Sequence, residues 1–162
     1  MRPLRGIGVV WILVLAAGCQ TSDIAKTPGI KKLGEMTGLT ASDEEQIVAV
    51  LDDVQRGMQS RSIFKVLAHV SRSYHDEEGR DYAALEAYLN SIFKNYRELQ
   101  IRRVPPRISV EGDQARAVET FGTMAEPQNP KLEPPVNLQG QVSVFLAKVG
   151  GQWQIVEWGR IL

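Results

Sequence analysis

Residues 141–161 of the chain read QVSVFLAKVGGQWQIVEWGRI. Two runs rich in β-branched and aromatic residues, 141–149 and 152–161, flank the dipeptide Gly150-Gly151. A pair of glycines between such runs favours a hairpin, because the tight turn needs a positive φ at both central residues. The sequence therefore predicts that the chain ends in two antiparallel strands.

Shorter strands precede this hairpin. Extended patterns cover three ranges: 98–104, 107–111 and 114–124. The next stretch, residues 125–138, contains four prolines, which cannot donate the hydrogen bonds of a sheet: Pro127, Pro130, Pro134 and Pro135. We therefore expect residues 125–138 to form an exposed loop.

The first half of the chain has helical periodicity instead. Ser42 and Glu45 have the spacing of a capping box, and apolar residues then recur at helical intervals from Ile47 to Met58. The apolar cluster from Ile63 to Val70 predicts a second, two-turn helix. Asp81 is placed to cap a third helix, whose apolar stripe comprises Leu85, Tyr88, Leu89, Ile92, Phe93 and Tyr96.

Three segments of this pattern resemble the nuclear transport factor 2-like family. They are the capped first helix, the passage Ser71-Arg72-Ser73-Tyr74-His75-Asp76, and the closing GGQWQIV of residues 150–156. The resemblance covers residues 42–162, and the family it points to includes ketosteroid isomerases and polyketide cyclase-like proteins. It implies an α+β fold in which three N-terminal helices pack on a curved antiparallel sheet, forming a cone with an apolar pocket at its open end.

The start of the chain resembles the leader of a bacterial lipoprotein. Arg2 and Arg5 precede an uncharged, mostly apolar run at residues 6–18, which is about 20 Å long as a helix and too short to span a bilayer. Leu15-Ala16-Ala17-Gly18-Cys19 resembles a lipobox, which implies cleavage after Gly18 and lipid attachment to Cys19. The alternative is a secreted protein cut near Ala17.

The predicted organisation has three parts. Residues 1–18 form a signal peptide, residues 19–41 carry the lipidated Cys19 and a flexible tether, and residues 42–162 form the domain. In the alternative, residues 30–39 pack on the domain as a short helix. Gln20 after the cysteine implies the bacterial cell envelope, at the outer membrane facing the periplasm if the source has two membranes.

Composition limits the classes of partner and cofactor. The 19 Lys and Arg residues balance 19 Asp and Glu residues, so the chain has no broad cationic surface for nucleic acid. One cysteine and two histidines cannot build a disulfide framework or an ordinary zinc site. We expect no cofactor, no metal and no nucleic-acid partner.

Three ionisable residues are candidates for catalysis. Counting alternate strand positions places Glu119 with Ala115 and Ala117, and places Glu157 with Trp153. If both faces are concave, two carboxylates enter the pocket and can act as general acid and base. His75 is a third candidate, at the pocket rim. The alternative is that each glutamate is solvated or paired with an arginine: Arg102, Arg103 or Arg160.

The predicted pocket is lined by four aromatic residues: Tyr74, Tyr96, Phe121 and Trp153. The favoured hypothesis is a lipid-anchored envelope protein whose non-catalytic domain binds a small apolar ligand or an envelope protein. The alternative is an isomerase, dehydratase or hydrolase that uses a pocket carboxylate as general base. A third hypothesis is a homodimeric scaffold with an apolar patch on its convex face, anchored by Trp158.

Overall fold

The computed structural model describes residues 41–162. The predicted signal peptide, Gly18, Cys19 and nearly all of the tether lie outside the described residues. The helices are α1 (Asp43–Gln59), α2 (Ile63–Leu67) and α3 (Tyr82–Asn95), and the strands are β1 (Tyr96–Arg103), β2 (Arg107–Glu111), β3 (Gln114–Pro127), β4 (Val136–Val149) and β5 (Gln152–Trp158). Within residues 41–162, no helix is both long and apolar enough to cross a bilayer.

The five strands form one antiparallel sheet, centred on β3. One edge of β3 pairs with β1 and β2, the other edge pairs with β4, and β5 lies beyond β4. The β3–β4 pairing is the longest, running from Gln114 opposite Ala147 to Ala125 opposite Val136. Three helices packed on this curled sheet confirm the predicted α+β fold.

The ends of the helices follow the local signals in the sequence. The Ser42 hydroxyl accepts from the Glu45 backbone N–H at 3.2 Å, and the Glu45 carboxylate accepts from the Ser42 N–H at 2.7 Å. This is the predicted capping box. Asp81 caps α3 in the same manner, accepting from the Ala84 N–H at 2.8 Å.

Two residues shape the junction of α1 and α2, one near the end of α1 and one in the turn that follows. Gly57 brings the helices together, because a β-carbon there would lie 2.9 Å from Cγ2 of Val66. Arg61 has a φ of 52°, and its N–H bonds to the Met58 carbonyl while the Ser62 N–H bonds to the Gly57 carbonyl. These two bonds make a Schellman motif, whose left-handed position is usually glycine.

The core lies between the helices and the inner face of the sheet. α1 contributes Ile47 and Leu51, α2 contributes Val66, and strands β3, β4 and β5 contribute the buried residues Ala117, Val144, Leu146 and Ile155. Aliphatic side chains of this kind drive folding because their burial is worth about 1.5–3 kcal/mol each. This packing holds α1 across the sheet and positions the groups described below.

Three predictions for individual segments are wrong. β3 continues to the fully buried Pro127 and β4 begins at Val136, so the connecting loop is shorter than residues 125–138. Pro127 is tolerated because it ends the strand, opposite Tyr96 at a bulge. Tyr96 begins β1 instead of continuing α3. α2 has only five residues, and Phe64 is exposed.

The closing hairpin is confirmed. Gly150 and Gly151 both have positive φ, 60° and 81°, as the tight turn requires. The pairing then shifts between Leu146 opposite Ile155 and Phe145 opposite Glu157. This bulge leaves one extra residue on β5 and reverses the face on which the following residues lie.

Candidate functional site

The open half of the inner face contains one polar cluster, which joins β1, β3 and α1. Arg103 pairs across β1 and β3 with Phe121, and Glu119 lies two residues before Phe121 on the same face. Glu119 is therefore on the inner face, as the count of alternate strand positions predicts. Its carboxylate accepts a hydrogen bond from the Arg103 guanidinium.

Arg103 has three partners in this cluster. Besides Glu119, its guanidinium donates to the Asp52 carboxylate and, at 2.6 Å, to Oε1 of Gln55. Only 9% of the Arg103 side chain and 12% of the Glu119 side chain are exposed, against 46% for Asp52. One buried cation thus pairs with two carboxylates, and it links α1 to two strands.

Burial raises the pKa of the Glu119 carboxyl above its ordinary value, and the charge of Arg103 opposes this rise only in part. The nearby Asp52 carboxylate adds a small further rise. Chemically, Glu119 is a carboxylate whose proton affinity is increased by burial, while one of its two oxygens, Oε1, is bonded to a guanidinium. A general base must take up a proton from its substrate, and the ion pair with Arg103 opposes that uptake.

α1 also covers the outer edge of β1 through two glutamines. Nε2 of Gln55 donates to the Ile101 carbonyl at 2.8 Å, and the Ile101 N–H donates to Oε1 of Gln59 at 2.9 Å. These bonds satisfy an edge-strand position that a second chain could otherwise pair with. Gln55 therefore links the edge of the sheet to the Arg103 cluster.

The structure does not bring Glu157 together with Glu119. Because of the bulge, Glu157 pairs with Phe145 and lies on the outer face, while Trp158 pairs with the buried Val144 on the inner face. The parity prediction for Glu157 is therefore wrong. The paired-carboxylate arrangement that depended on it is not formed.

A second buried polar group centres on Asp76, which is 4% exposed. Its carboxylate accepts from the Tyr74 hydroxyl at 2.9 Å, from Nε of Arg80 at 2.8 Å, and from the backbone N–H groups of Glu78 and Arg80. Burial alone would raise the pKa of Asp76, but the bonds from Arg80 and Tyr74 outweigh it and lower the pKa. Burial raises the pKa of Tyr74.

Two of the predicted aromatic pocket residues belong to the core. Tyr74 is buried and packs against Trp158 with ring centroids 5.9 Å apart. Trp153 is buried, and its indole N–H donates to Asp43 at 3.0 Å. Neither side chain lines an open pocket, and the inward position of Trp158 contradicts its predicted role as an anchor on the convex face.

The remaining candidates lie apart from the Arg103 cluster or at its margin. His75 is exposed, and its backbone bridges to Asp81. Phe121 is half-buried on the inner face beside Glu119, and Tyr96 is half-buried where β1 begins. Of the seven catalytic and pocket candidates, only Glu119 and Phe121 therefore meet at this cluster.

Two concavities stand out on the described surface, and both lie outside the cone. The larger, about 470 Å³, lies between the start of α1 and β2 and is lined by Ser42, Glu44, Glu45, Val48, Pro106 and Ile108. The smaller, about 270 Å³, lies between α1 and α2 and is lined by Asp53, Arg56, Lys65, Ala68 and His69. Across residues 41–162 no group of three His, Cys, Asp or Glu side chains is placed to hold a metal ion.

Sequence reasoning missed the residues that make the inner cluster a closed network. Asp52 and Gln55 lie off the apolar stripe of the first helix, a position that predicts contact with solvent, and Arg103 is one of three alternative partners for Glu119. Their meeting depends on how α1 crosses β1, with 51 residues separating Asp52 from Arg103. A helical pattern reports which residues share a face, but it does not say what that face will meet.

No protein-family model matches the sequence, and no curated protein is similar to it in sequence. The fold is nevertheless shared with solved structures. A scytalone dehydratase-like protein of Novosphingobium aromaticivorans has a TM-score of 0.65 at 17% identity, covering 83% of this chain and 88% of its own. A nuclear transport factor 2-like superfamily protein of Salmonella enterica serovar Typhimurium has a TM-score of 0.62 at 17% identity, covering 72% and 87%.

A third structure is a dehydratase-like protein of the same superfamily from Streptomyces avermitilis. Its TM-score is 0.60 at 13% identity, and the match covers 72% of this chain and 93% of that one. At these identities the likeness concerns the fold alone, since one fold carries many activities. Residues 41–162 therefore have the nuclear transport factor 2-like α+β fold.

Proposed function

We propose that this protein is a lipid-anchored component of a bacterial cell envelope and that its nuclear transport factor 2-like domain is a binding module without catalytic activity. The proposal that the domain has no catalytic activity rests on the pairing of Glu119 with Arg103. Glu119 is the inward-facing acid of the sheet, and its ion pair with the guanidinium opposes the proton uptake that a general base must perform.

The anchoring half rests on the sequence of the first nineteen residues. Cys19 is the only cysteine of the chain and directly follows the apolar run and the small residues Ala16, Ala17 and Gly18. A lipoprotein bears more than one acyl chain, and each buried methylene contributes about 0.8 kcal/mol, so such an anchor is lasting. The mature protein stays at the membrane with its domain in the periplasm or outside the cell.

The filling of the inner face favours binding at the surface over a deep apolar pocket. Ala117, Val144 and Ile155 are fully buried at the closed end of the cone, and the Arg103 cluster spans the next part of the same face. An apolar ligand placed there would separate Arg103 from its carboxylates, which is costly for a buried charge. Binding of an envelope partner, or binding at the exposed end of the sheet, is therefore better supported than binding of an apolar ligand inside the cone.

The enzymatic alternative retains one supporting feature, the raised pKa of Glu119. Two of the structural neighbours are dehydratase-like proteins, but at 17% and 13% identity they carry the fold only. The other candidate base, Glu157, lies on the opposite face. We therefore do not favour it.

The anchoring is tested by expressing the full chain and its Cys19→Ser variant in a bacterium fed an alkyne-labelled fatty acid. Label on the wild type and none on the variant, together with detergent-phase partitioning of the wild type alone, is the expected result. Equal partitioning of the two proteins, with no label on either, would overturn the proposal that Cys19 carries a lipid anchor.

The binding role is tested by native mass spectrometry of the wild-type protein released gently from the envelope. A co-purifying small mass or a captured protein supports a binding module, and the Glu119→Gln variant should retain it. A bare protein that turns over a carbonyl substrate, with the activity lost in Glu119→Gln, would establish the enzymatic alternative instead.

A further inference from the structure

A groove that is both apolar and acidic lies between the start of α1 and the edge strand β2. Its volume is about 470 Å³. It is lined by three half-buried apolar side chains: Val48, Pro106 and Ile108. Glu44 and Glu45 add two carboxylates, and in the described part of the chain no lysine or arginine lines it. Arg107 lies on the outer face of β2. We call this concavity the α1–β2 groove.

The groove borders an edge of the sheet that is open within residues 41–162. β2 pairs with β3 alone. Glu111 and Gln114 close the two-residue turn between these strands, and bonded pairs alternate from there along the hairpin. The N–H and C=O groups of Ile108 and Val110 therefore point away from β3. The outer edges of β1 and β5 are covered, by the glutamines of α1 and by residues 69–75, whereas an uncovered edge is a template for pairing.

The chain enters the described structure at this groove. The first described residue directly precedes Ser42, which itself lines the groove. Residues 30–39, which lie outside the described residues, are therefore covalently held within reach of it. Their sequence, IKKLGEMTGL, has Lys31 and Lys32 against the single acid Glu35, and its apolar side chains are Ile30, Leu33, Met36 and Leu39. A positive, apolar segment thus adjoins a negative, apolar groove.

We propose that residues 30–39 dock in the α1–β2 groove of their own domain and cover the free edge of β2. The ammonium groups of Lys31 and Lys32 then lie against the acids of the groove, and the apolar side chains of the segment lie against its apolar lining. This docking does not depend on acylation of Cys19.

A weak contact is sufficient, because the segment and the groove belong to one chain. A short linker gives an effective concentration in about the millimolar range, so a contact with a dissociation constant of about 0.1 mM is occupied about nine times in ten. Exposed ion pairs stabilise little, and burial of apolar side chains stabilises more. The lysines therefore select the groove, and the apolar contacts provide most of the affinity.

Docking also shortens the link between Cys19 and the domain. Only residues 20–29 then separate Cys19 from the groove, and a coil of that length has a root-mean-square span of about 17 Å, against about 25 Å for residues 20–41. If Cys19 carries the proposed anchor, docking holds the domain closer to the bilayer. It also closes the groove to other ligands.

The test measures amide hydrogen exchange by NMR in the mature chain, residues 19–162, with Cys19 reduced and without lipid. The result is therefore independent of whether cells acylate Cys19. The amide of Ile108 reports the edge of β2, and the amides of residues 30–39 report the segment. In the wild-type chain the segment should exchange about tenfold more slowly than in a synthetic peptide of residues 20–41, whereas Ile24 should exchange as in the peptide.

Charge reversal tests the assignment of the groove. Lys31→Glu combined with Lys32→Glu places like charges together and should speed exchange at Ile108 about tenfold. Adding Glu44→Lys to that variant should slow the exchange again by about threefold, because opposite charges then face each other. Lys26→Glu, upstream of the segment, is the control and should leave the rate at Ile108 unchanged.

A matched pair of apolar variants tests the remaining contacts. Leu33→Ser should lose the protection of Ile108, whereas Ile24→Ser, which alters an apolar residue upstream of the segment, should keep it. The amide of the buried Ala117 should exchange at the same rate in every variant, which shows that the domain stays folded.

Three results would overturn the proposal. Exchange at Ile108 could be equal in the wild type and in the variant with both lysines reversed. Glu44→Lys could fail to restore the protection that this variant loses. The protection could also fall on dilution of the wild-type protein, which would place a second copy of the chain in the groove.

Discussion

The guanidinium of Arg103 on β1 donates a hydrogen bond to the carboxylate of Glu119 on β3, and the two side chains are almost entirely enclosed by the sheet and α1. Asp52 of α1 shares the same guanidinium. A single cation therefore determines the charge balance of the inner face. Replacing Arg103 and replacing Glu119 should therefore affect the stability of the domain differently.

Replacing the cation is expected to destabilise the domain strongly. Arg103→Met leaves Glu119 buried without a partner, and breaking a buried pair in this way costs about 3 kcal/mol. Urea unfolding followed by tryptophan fluorescence measures the loss. Arg102→Met, on the exposed neighbouring position of the same strand, is the matched control and should change the free energy of unfolding by less than about 0.5 kcal/mol.

Replacing Glu119 should change how the stability depends on pH. Burial raises the folded-state pKa of Glu119, so its protonated form stabilises the fold below its unfolded-state pKa. That contribution is lost as the pH rises through the folded-state pKa. Glu119→Gln cannot ionise, so its stability relative to wild type should increase between pH 4 and pH 7. A difference that is constant across this range would contradict the assigned burial.

Asp76 should show the reverse pH dependence. The bonds from Arg80 and Tyr74 lower its folded-state pKa, so its contribution is present above its unfolded-state pKa and is lost as the pH falls through the folded-state value. Asp76→Asn should cost about 2 kcal/mol at pH 7 and less at pH 3. Glu77→Gln, in an exposed pair with Arg160, is the control with little effect at either pH.

The close contact between α1 and α2 predicts a steric effect at Gly57. A β-carbon there would lie 2.9 Å from Cγ2 and 3.0 Å from the backbone N of Val66. Gly57→Ala should therefore destabilise the domain by about 1–2 kcal/mol, despite the better helix propensity of alanine. In a double-mutant cycle with Val66→Ala, the sum of the losses of stability in the two single variants should exceed the loss in the double variant. Strict additivity would show that the helices move apart freely.

The sequence alone determined the features that local chemistry controls. Ser42 and Glu45 cap a helix because both bonding groups lie within one turn, and Gly150-Gly151 makes a hairpin because glycine accepts positive φ. The α+β order of elements follows from the change of hydrophobic period along the chain. The position of Glu119 on the inner face also follows, because β3 keeps its alternation from Ala115 onwards.

Only the tertiary structure decided what those side chains meet. The bulge between Phe145 and Leu146 turns Glu157 outward, and alternation along a strand cannot reveal an extra residue. Pairing with β1 extends β3 beyond its pairing with β4 as far as Pro127, because a strand end needs no N–H donor there. The meeting of Asp52 with Arg103 depends on the packing of α1 across the sheet, which is a long-range property that a local pattern does not encode.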